Sequence, residues 1–162
     1  MTTIDDILAL PEGQRAELID GRIYMMASPG FRHQRLIFNA GRQIGSYIDG
    51  KGGDCIVVPS PFAVYLNEKK DYLEPDLMII CDPSKIREDG CYGAPDWVME
   101  VISPSSRSRD SLLKLFKYRT EGVREYCLVD PDEEKEEVNE YSLTDAIPIG
   151  IYENLSITLE EE

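Results

Sequence analysis

Two carboxylates stand inside apolar runs, and few folds accept that. In YLEPDLMII (residues 72–80) Asp76 follows Pro75 and precedes Leu77, Met78, Ile79 and Ile80, and in PDWVMEVISPS (residues 95–105) Glu100 lies between Met99 and Val101. Both runs read as strands, and because alternate strand residues share a face, Asp76 lies with Met78 and Ile80, and Glu100 with Val98 and Ile102. A buried ionised carboxylate is tolerated only when it is paired, neutralised or bound to a cation. Two of them on neighbouring strands repel unless positive charge sits between them, and hard carboxylate oxygens suit Mg2+ or Mn2+. The plainer reading is that each acid sits at a strand end, with Pro75 and Pro95 marking where the strands begin and Asp76 exposed. Spacing alone leaves both readings open.

The rest of the chain supplies a frame for those strands. Residues 2–11 read as a short helix capped by Thr2 or Thr3 and stopped by Pro11, and AELIDGRIYMMA as two strands turned at Asp20-Gly21, a hairpin signal. Residues 31–49 carry Leu36, Ile37, Ala40, Ile44, Tyr47 and Ile48 at helical spacing. CIVVPSPFAVYL reads as strand, its prolines at Pro59 and Pro61 implying a bulge or edge. A helical turn is expected near PSKI, then the strand at 97–102. DSLLKLFKYRTEG is the second convincing helix, with Leu112, Leu115, Phe116 and Arg119 on one face and Gly122 as its stop. EYCLVD is a strand, and weaker strands are expected near 137–142, 149–152 and 156–159. This order predicts an α/β (α+β) fold, a mixed sheet flanked by helices. One domain over 1–162 is expected, with an acidic C-terminal extension from about 131.

Charge narrows the partners. The chain has 17 basic and 31 acidic residues, a net charge of −14, which argues against coating nucleic acid by bulk electrostatics. The acids are uneven, however: DPDEEKEE (130–137) and the terminal EEE hold nine of them. From Ser103 to Arg124 the balance reverses, with Arg107, Arg109, Lys114, Lys117, Arg119 and Arg124 against Asp110 and Glu121. No run approaches the ~20 apolar residues of a membrane helix, and the N-terminus has acids where a secretory signal has basic residues, so a cytoplasmic protein is expected. Cys55, Cys81, Cys91 and Cys127 are scattered, which predicts no disulfide framework, and Cys55 and Cys127 read as small buried hydrophobes.

The succession EPDLMII, PDWVMEVISPSSRSRDSLLKLFKY and EGVREYCLVDP, after the opening AELIDGRIYMMASPGFRHQRL, resembles the Uma-two family of bacterial proteins. That family is catalogued among candidate restriction endonucleases of the PD-(D/E)XK nuclease superfamily. The resemblance covers residues 16 to about 131. It implies a restriction-endonuclease-like fold with a central mixed sheet, and a divalent cation held by Asp76, Glu100 and the carbonyl of Val101. The superfamily's lysine usually stands two residues after the second acid, where this chain has Ile102. In the Uma-two family the lysine lies on the following helix, here Lys114, with Lys117 as the substitute. On a helical wheel alone Lys114 lies nearly opposite Leu112 and Phe116 and reads as solvated surface.

Glu17 matches the family's early acidic position, where it would complete the metal shell or orient a water; otherwise it is an ordinary charged residue at a strand start. His33, the single histidine, stands at a helix start, where it could contact a phosphate or a water, or simply cap or pack. Arg107, Arg109, Lys117 and Tyr118 are the candidate substrate contacts. The implied activity is Mg2+- or Mn2+-dependent hydrolysis of DNA by a homodimer. Two alternatives remain: a catalytically inactive nuclease-like scaffold that binds a protein or nucleic acid, and a metal-dependent hydrolase of another phosphate ester.

Overall fold

Strong β-formers and hairpin turns dominate the first hundred residues, and the chain spends them on two sheets rather than one. The computed structural model describes residues 2–67, 70–102, 109–131 and 144–160. Helix α1 (Ile4–Leu8) is fixed by the Thr3 amide, which donates to the Asp6 carboxylate at 2.8 Å. Strands β1 (Arg15–Ile19) and β2 (Arg22–Met26) form the expected hairpin, with Asp20 and Gly21 both at positive φ, 49° and 75°. Helix α2 spans Phe31–Lys51.

CIVVPSPFAVYL is not one strand. It divides into β3 (Ile56–Pro59) and β4 (Val64–Leu66), which belong to different sheets; Pro59 ends β3 and Pro61 lies between the two, and neither supplies an amide hydrogen to continue a ladder. Strands β5 (Asp71–Leu73), β6 (Leu77–Ile80), β7 (Ile86–Arg87), β8 (Gly90–Tyr92) and β9 (Trp97–Val101) follow, with a 3-10 turn at Pro83–Lys85. Then come α3 (Arg109–Glu121), β10 (Glu125–Val129) and the short β11 (Ile147–Pro148) and β12 (Ser156–Ile157). Of the three weak C-terminal strands expected, 137–142 lies outside the described residues, 149–152 is turn, and 156–159 contributes β12.

The two large sheets run β2-β1-β5-β4-β8-β7 and β10-β9-β6-β3, the second with β10 parallel to β9 and the rest antiparallel. One face of the four-stranded sheet, including Leu77, Ile79, Trp97 and Met99, packs on Leu36, Ile37, Ala40, Ile44 and Ile48 of α2. The described tail joins the same core through Ile147, Ile149, Leu155, Ile157 and Leu159, so residues 144–160 are structural rather than an acidic appendage. The opposite face, with Met78, Ile80 and Val98, packs on Ile19, Val64, Leu66 and Leu73 of the first sheet and on Tyr118 of α3.

Two expectations are corrected. The apolar stripe of α3 points outward: Leu112 is 59% and Phe116 67% exposed, while Tyr118 is fully buried. Cys55 and Cys81 form a disulfide, against the expectation of none, because the antiparallel register that sets Ile56 opposite Ile80 continues to set Cys55 opposite Cys81. No described helix is long and apolar enough to cross a membrane.

Candidate functional site

Strand register brings the two acids together. Leu77 pairs with Met99 across β6 and β9, so one step further Asp76 faces Glu100 on the same side of the sheet, beside Met78 and Val98. Asp76 does precede its strand, as the plainer reading held, yet it is buried rather than exposed. Its Oδ2 accepts the amide hydrogen of Val101 at 2.7 Å, which ties the turn after Pro75 to the end of β9.

Glu17, His33, Lys114 and Tyr118 converge on this pair. Glu17, on β1 of the other sheet, is 3% exposed, and its Oε1 accepts the Glu74 amide at 3.0 Å. Lys114 Nζ lies 2.8 Å from Glu17 Oε2 and 3.1 Å from Glu100 Oε1. Lys114 is therefore not solvated surface. Tyr118, one turn on, donates its hydroxyl to the same Glu100 oxygen at 3.1 Å. From α2, His33 Nε2 lies 3.1 Å from the Val101 carbonyl oxygen and 3.3 Å from Asp76 Oδ2.

Three carboxylates facing one ammonium and one imidazole leave surplus negative charge, and the proton equilibria reflect it. Burial pushes Glu100 up to about 8, with Glu17 and Asp76 acting in the same direction and Lys114 opposing. Burial works against the charged form of Lys114, but Glu100 and Glu17 outweigh it and hold the amine protonated. The Asp76 hydrogen bond raises His33 above an ordinary imidazole, against the effect of burial.

The donors suit a hard cation. Asp76, Glu100 and the Val101 carbonyl are all oxygen donors, a set that suits Mg2+ or Mn2+; register sets Asp76 beside Glu100, and the Val101 amide hydrogen bond holds Asp76 at the end of β9. Among the described residues no three His, Cys, Asp or Glu side chains form a group that could hold a metal, so the third donor would have to be that carbonyl or water. The protein's own cations already lie against these oxygens, His33 on Asp76 and Val101, Lys114 on Glu100.

The candidate substrate contacts are scattered. Arg107 lies outside the described residues, and Arg109 opens α3 without a described side chain. Lys117 is held internally by Asp20 and Asp71, and Tyr118 is fully buried. Sequence reading missed the support beneath Glu17. Glu74, two residues before Asp76, is buried, pairs with Arg15 and accepts the Tyr72 hydroxyl at 2.8 Å. It lay in view as the other acid of YLEPD, but its strand-end position concealed its burial.

Comparison with known proteins agrees with this architecture. The uncharacterized proteins sll1609 and slr1290 of Synechocystis sp. are each 29% identical to the chain, over 120 and 108 residues, or 72% and 65% of its length. These stretches span 67% and 56% of those relatives. A crystal structure from Anabaena variabilis ATCC 29413, described as a "putative nuclease belonging to DUF820", superposes with a TM-score of 0.72 at 21% identity, covering 98% of this chain and 96% of that one. The two proteins share a fold. The model of the Uma2 family, described as "Putative restriction endonuclease", matches residues 4–160, including the C-terminal residues beyond the motifs. The chain belongs to the Uma2 family.

Proposed function

We propose that this protein is a metal-dependent endonuclease that hydrolyses DNA phosphodiester bonds through a PD-(D/E)XK-like centre whose lysine has moved to the following helix. One observation carries the reading: Lys114 reaches Glu100 from α3, at 3.1 Å, although the position two residues after Glu100 is Ile102. The family description and the shared fold support a nuclease.

In this centre Asp76, Glu100 and the Val101 carbonyl would hold Mg2+ or Mn2+. Such a cation would polarise a scissile phosphate and lower the pKa of an attacking water. Lys114 places positive charge where the phosphorane-like transition state gathers negative charge. Flanked by Glu17 and Glu100, it remains an ammonium and serves as an electrostatic stabiliser rather than a base. Tyr118 fixes one oxygen of Glu100, leaving the other for ligation. His33 holds Asp76 and the Val101 carbonyl in place before a cation arrives. Arg107 and Arg109 remain the candidate phosphate contacts, and a cytoplasmic homodimer acting on duplex DNA completes the proposal.

The test is cleavage of supercoiled and single-stranded DNA in Mg2+ and in Mn2+, comparing wild type with Asp76→Ala, Glu100→Ala and Lys114→Ala. Metal-dependent nicking by wild type, with each variant reduced by about 100-fold or more, is expected. Activity that persists in the two acid variants would refute the site.

A second reading has its own support, because His33 and Lys114 partly neutralise the acids without any metal. A non-catalytic scaffold would show neither cleavage nor heat on titration with Mn2+.

A further inference from the structure

Helix α3 is seated in an unusual way. Its large apolar residues Leu112 and Phe116 face solvent, while Lys114, Lys117 and Tyr118, at three- and four-residue spacing, form the inward face. Lys114 enters the site described above. Lys117 does not: its Nζ lies 2.6 Å from Asp20 Oδ1 and 3.1 Å from Asp71 Oδ2. Asp71 is 0% exposed, and its Oδ1 accepts the Asp20 amide at 2.8 Å, so a fully buried carboxylate is shared between a turn amide and one lysine.

Each lysine meets an acid from the same pair of strands, and Lys114 meets Glu100 on β9 as well. Glu17 is in β1 and Asp20 directly follows it; Asp71 opens β5, which pairs with β1 through Leu18 and Tyr72. The helix is thus held to one strand pair by two ionic pins a single turn apart. A shift that breaks the outer pin carries the inner one with it.

Building on the nuclease reading, we propose that Lys117 is a positioning residue: paired with Asp71 and Asp20, it sets the depth and rotation of α3 and so delivers the Lys114 ammonium to Glu100. It is not a phosphate contact, because its charge is already paired with the buried Asp71 and the exposed Asp20. Together with the buried Tyr118 and the partly buried Leu113, the seat explains how a helix with an outward apolar face docks.

Removing Lys117 alone would strand the Asp71 charge in the interior and risk unfolding the protein. The informative variant is therefore Lys117→Met combined with Asp71→Asn, which removes both charges, set beside Lys117→Arg, which keeps the cation. Two readouts are taken on the full chain. In the first, Lys114 acylation by an amine-reactive ester is followed by mass spectrometry; the pinned amine should be protected in wild type and labelled at least fivefold faster in the double variant, with Lys117→Arg close to wild type. In the second, DNA cleavage by the double variant should show kcat reduced about tenfold or more, with KM and the salt dependence unchanged.

Unchanged Lys114 labelling in a folded double variant would overturn the proposal. So would a raised KM with the salt slope reduced by about one, which is the mark of a lost phosphate contact. A lowered melting temperature with kcat per folded molecule intact would overturn it as well. If wild type cuts no DNA at all, the nuclease reading fails, while the labelling still decides whether Lys117 seats the helix.

Discussion

Glu100 is the residue on which the proton balance of the site turns. Its proton is held up to about pH 8 in the folded chain, against an ordinary glutamate value near 4.5. A folded-state pKa above the unfolded one contributes stability that is fully present below the unfolded value and lost as pH rises through the folded value. Cation-free protein should therefore lose stability between about pH 4.5 and 8, and Glu100→Gln should flatten that slope in urea titrations across the range. A cation bound as proposed would displace the same proton, so Mn2+ affinity should rise with pH up to about 8 and level off above it. Calorimetry in buffers of different ionisation enthalpy would show the released proton; a pH-independent affinity would contradict the assignment of Glu100 as a ligand. At this scale the sequence was informative: an acid flanked by Met99 and Val101 had to be compensated, and the compensating groups are present. Which cation compensates which acid was not legible, because Glu17, His33 and Lys114 arrive from three separate elements.

At the scale of elements, α3 shows where pattern reading fails. A helical wheel assumes that the apolar stripe faces the core, and that assumption sends Lys114 to solvent. Buried acids on β1, β5 and β9 reverse the preference, since each needs a cation more than the core needs Leu112 or Phe116. Leu112→Ser and Phe116→Ser should therefore change stability by no more than about 0.5 kcal/mol each, whereas Tyr118→Ala should cost about 3–5 kcal/mol. Chemical denaturation of the three variants checks this; a large loss from either serine change would mean that the stripe is covered. The division of CIVVPSPFAVYL was partly legible in Pro59 and Pro61, but a bulge and a change of sheet look alike in sequence. The Cys55–Cys81 bond was not legible, because it depends on the cross-strand register of β3 and β6, set by residues far apart in the chain.

For the molecule as a whole, the C-terminal residues matter more than their acidity suggests. Ile147, Ile149, Leu155, Ile157 and Leu159 close one side of the α2 core, and each fully buried aliphatic side chain is worth about 1.5–3 kcal/mol. Truncation after Asp130 should therefore remove an amount comparable with the whole stability of a domain, about 5–15 kcal/mol, and leave no cooperative thermal transition. A truncated chain that melts like the full one would show the tail to be dispensable. The net charge of −14 bears on the proposed nuclease function, since long-range repulsion from DNA would have to be overcome by local contacts and by the proposed cation. The alternation of strands with two long helices made the fold class readable, whereas its partition into a six-stranded and a four-stranded sheet, joined through Glu74-Pro75-Asp76, was set by long-range pairing. That junction places the first acid at the seam of the two sheets.

The most direct measurement is single-turnover DNA cleavage in Mn2+ by Asp76→Asn, Glu100→Gln and Lys114→Met, singly and combined. Residues that act as one unit lose activity non-additively. Each single change is expected to abolish most of the rate, with the triple variant little worse than the worst single one. Independent, multiplying losses, or a Lys114→Met protein that cuts as well as wild type, would contradict a single centre built from two strand acids and a lysine delivered by α3.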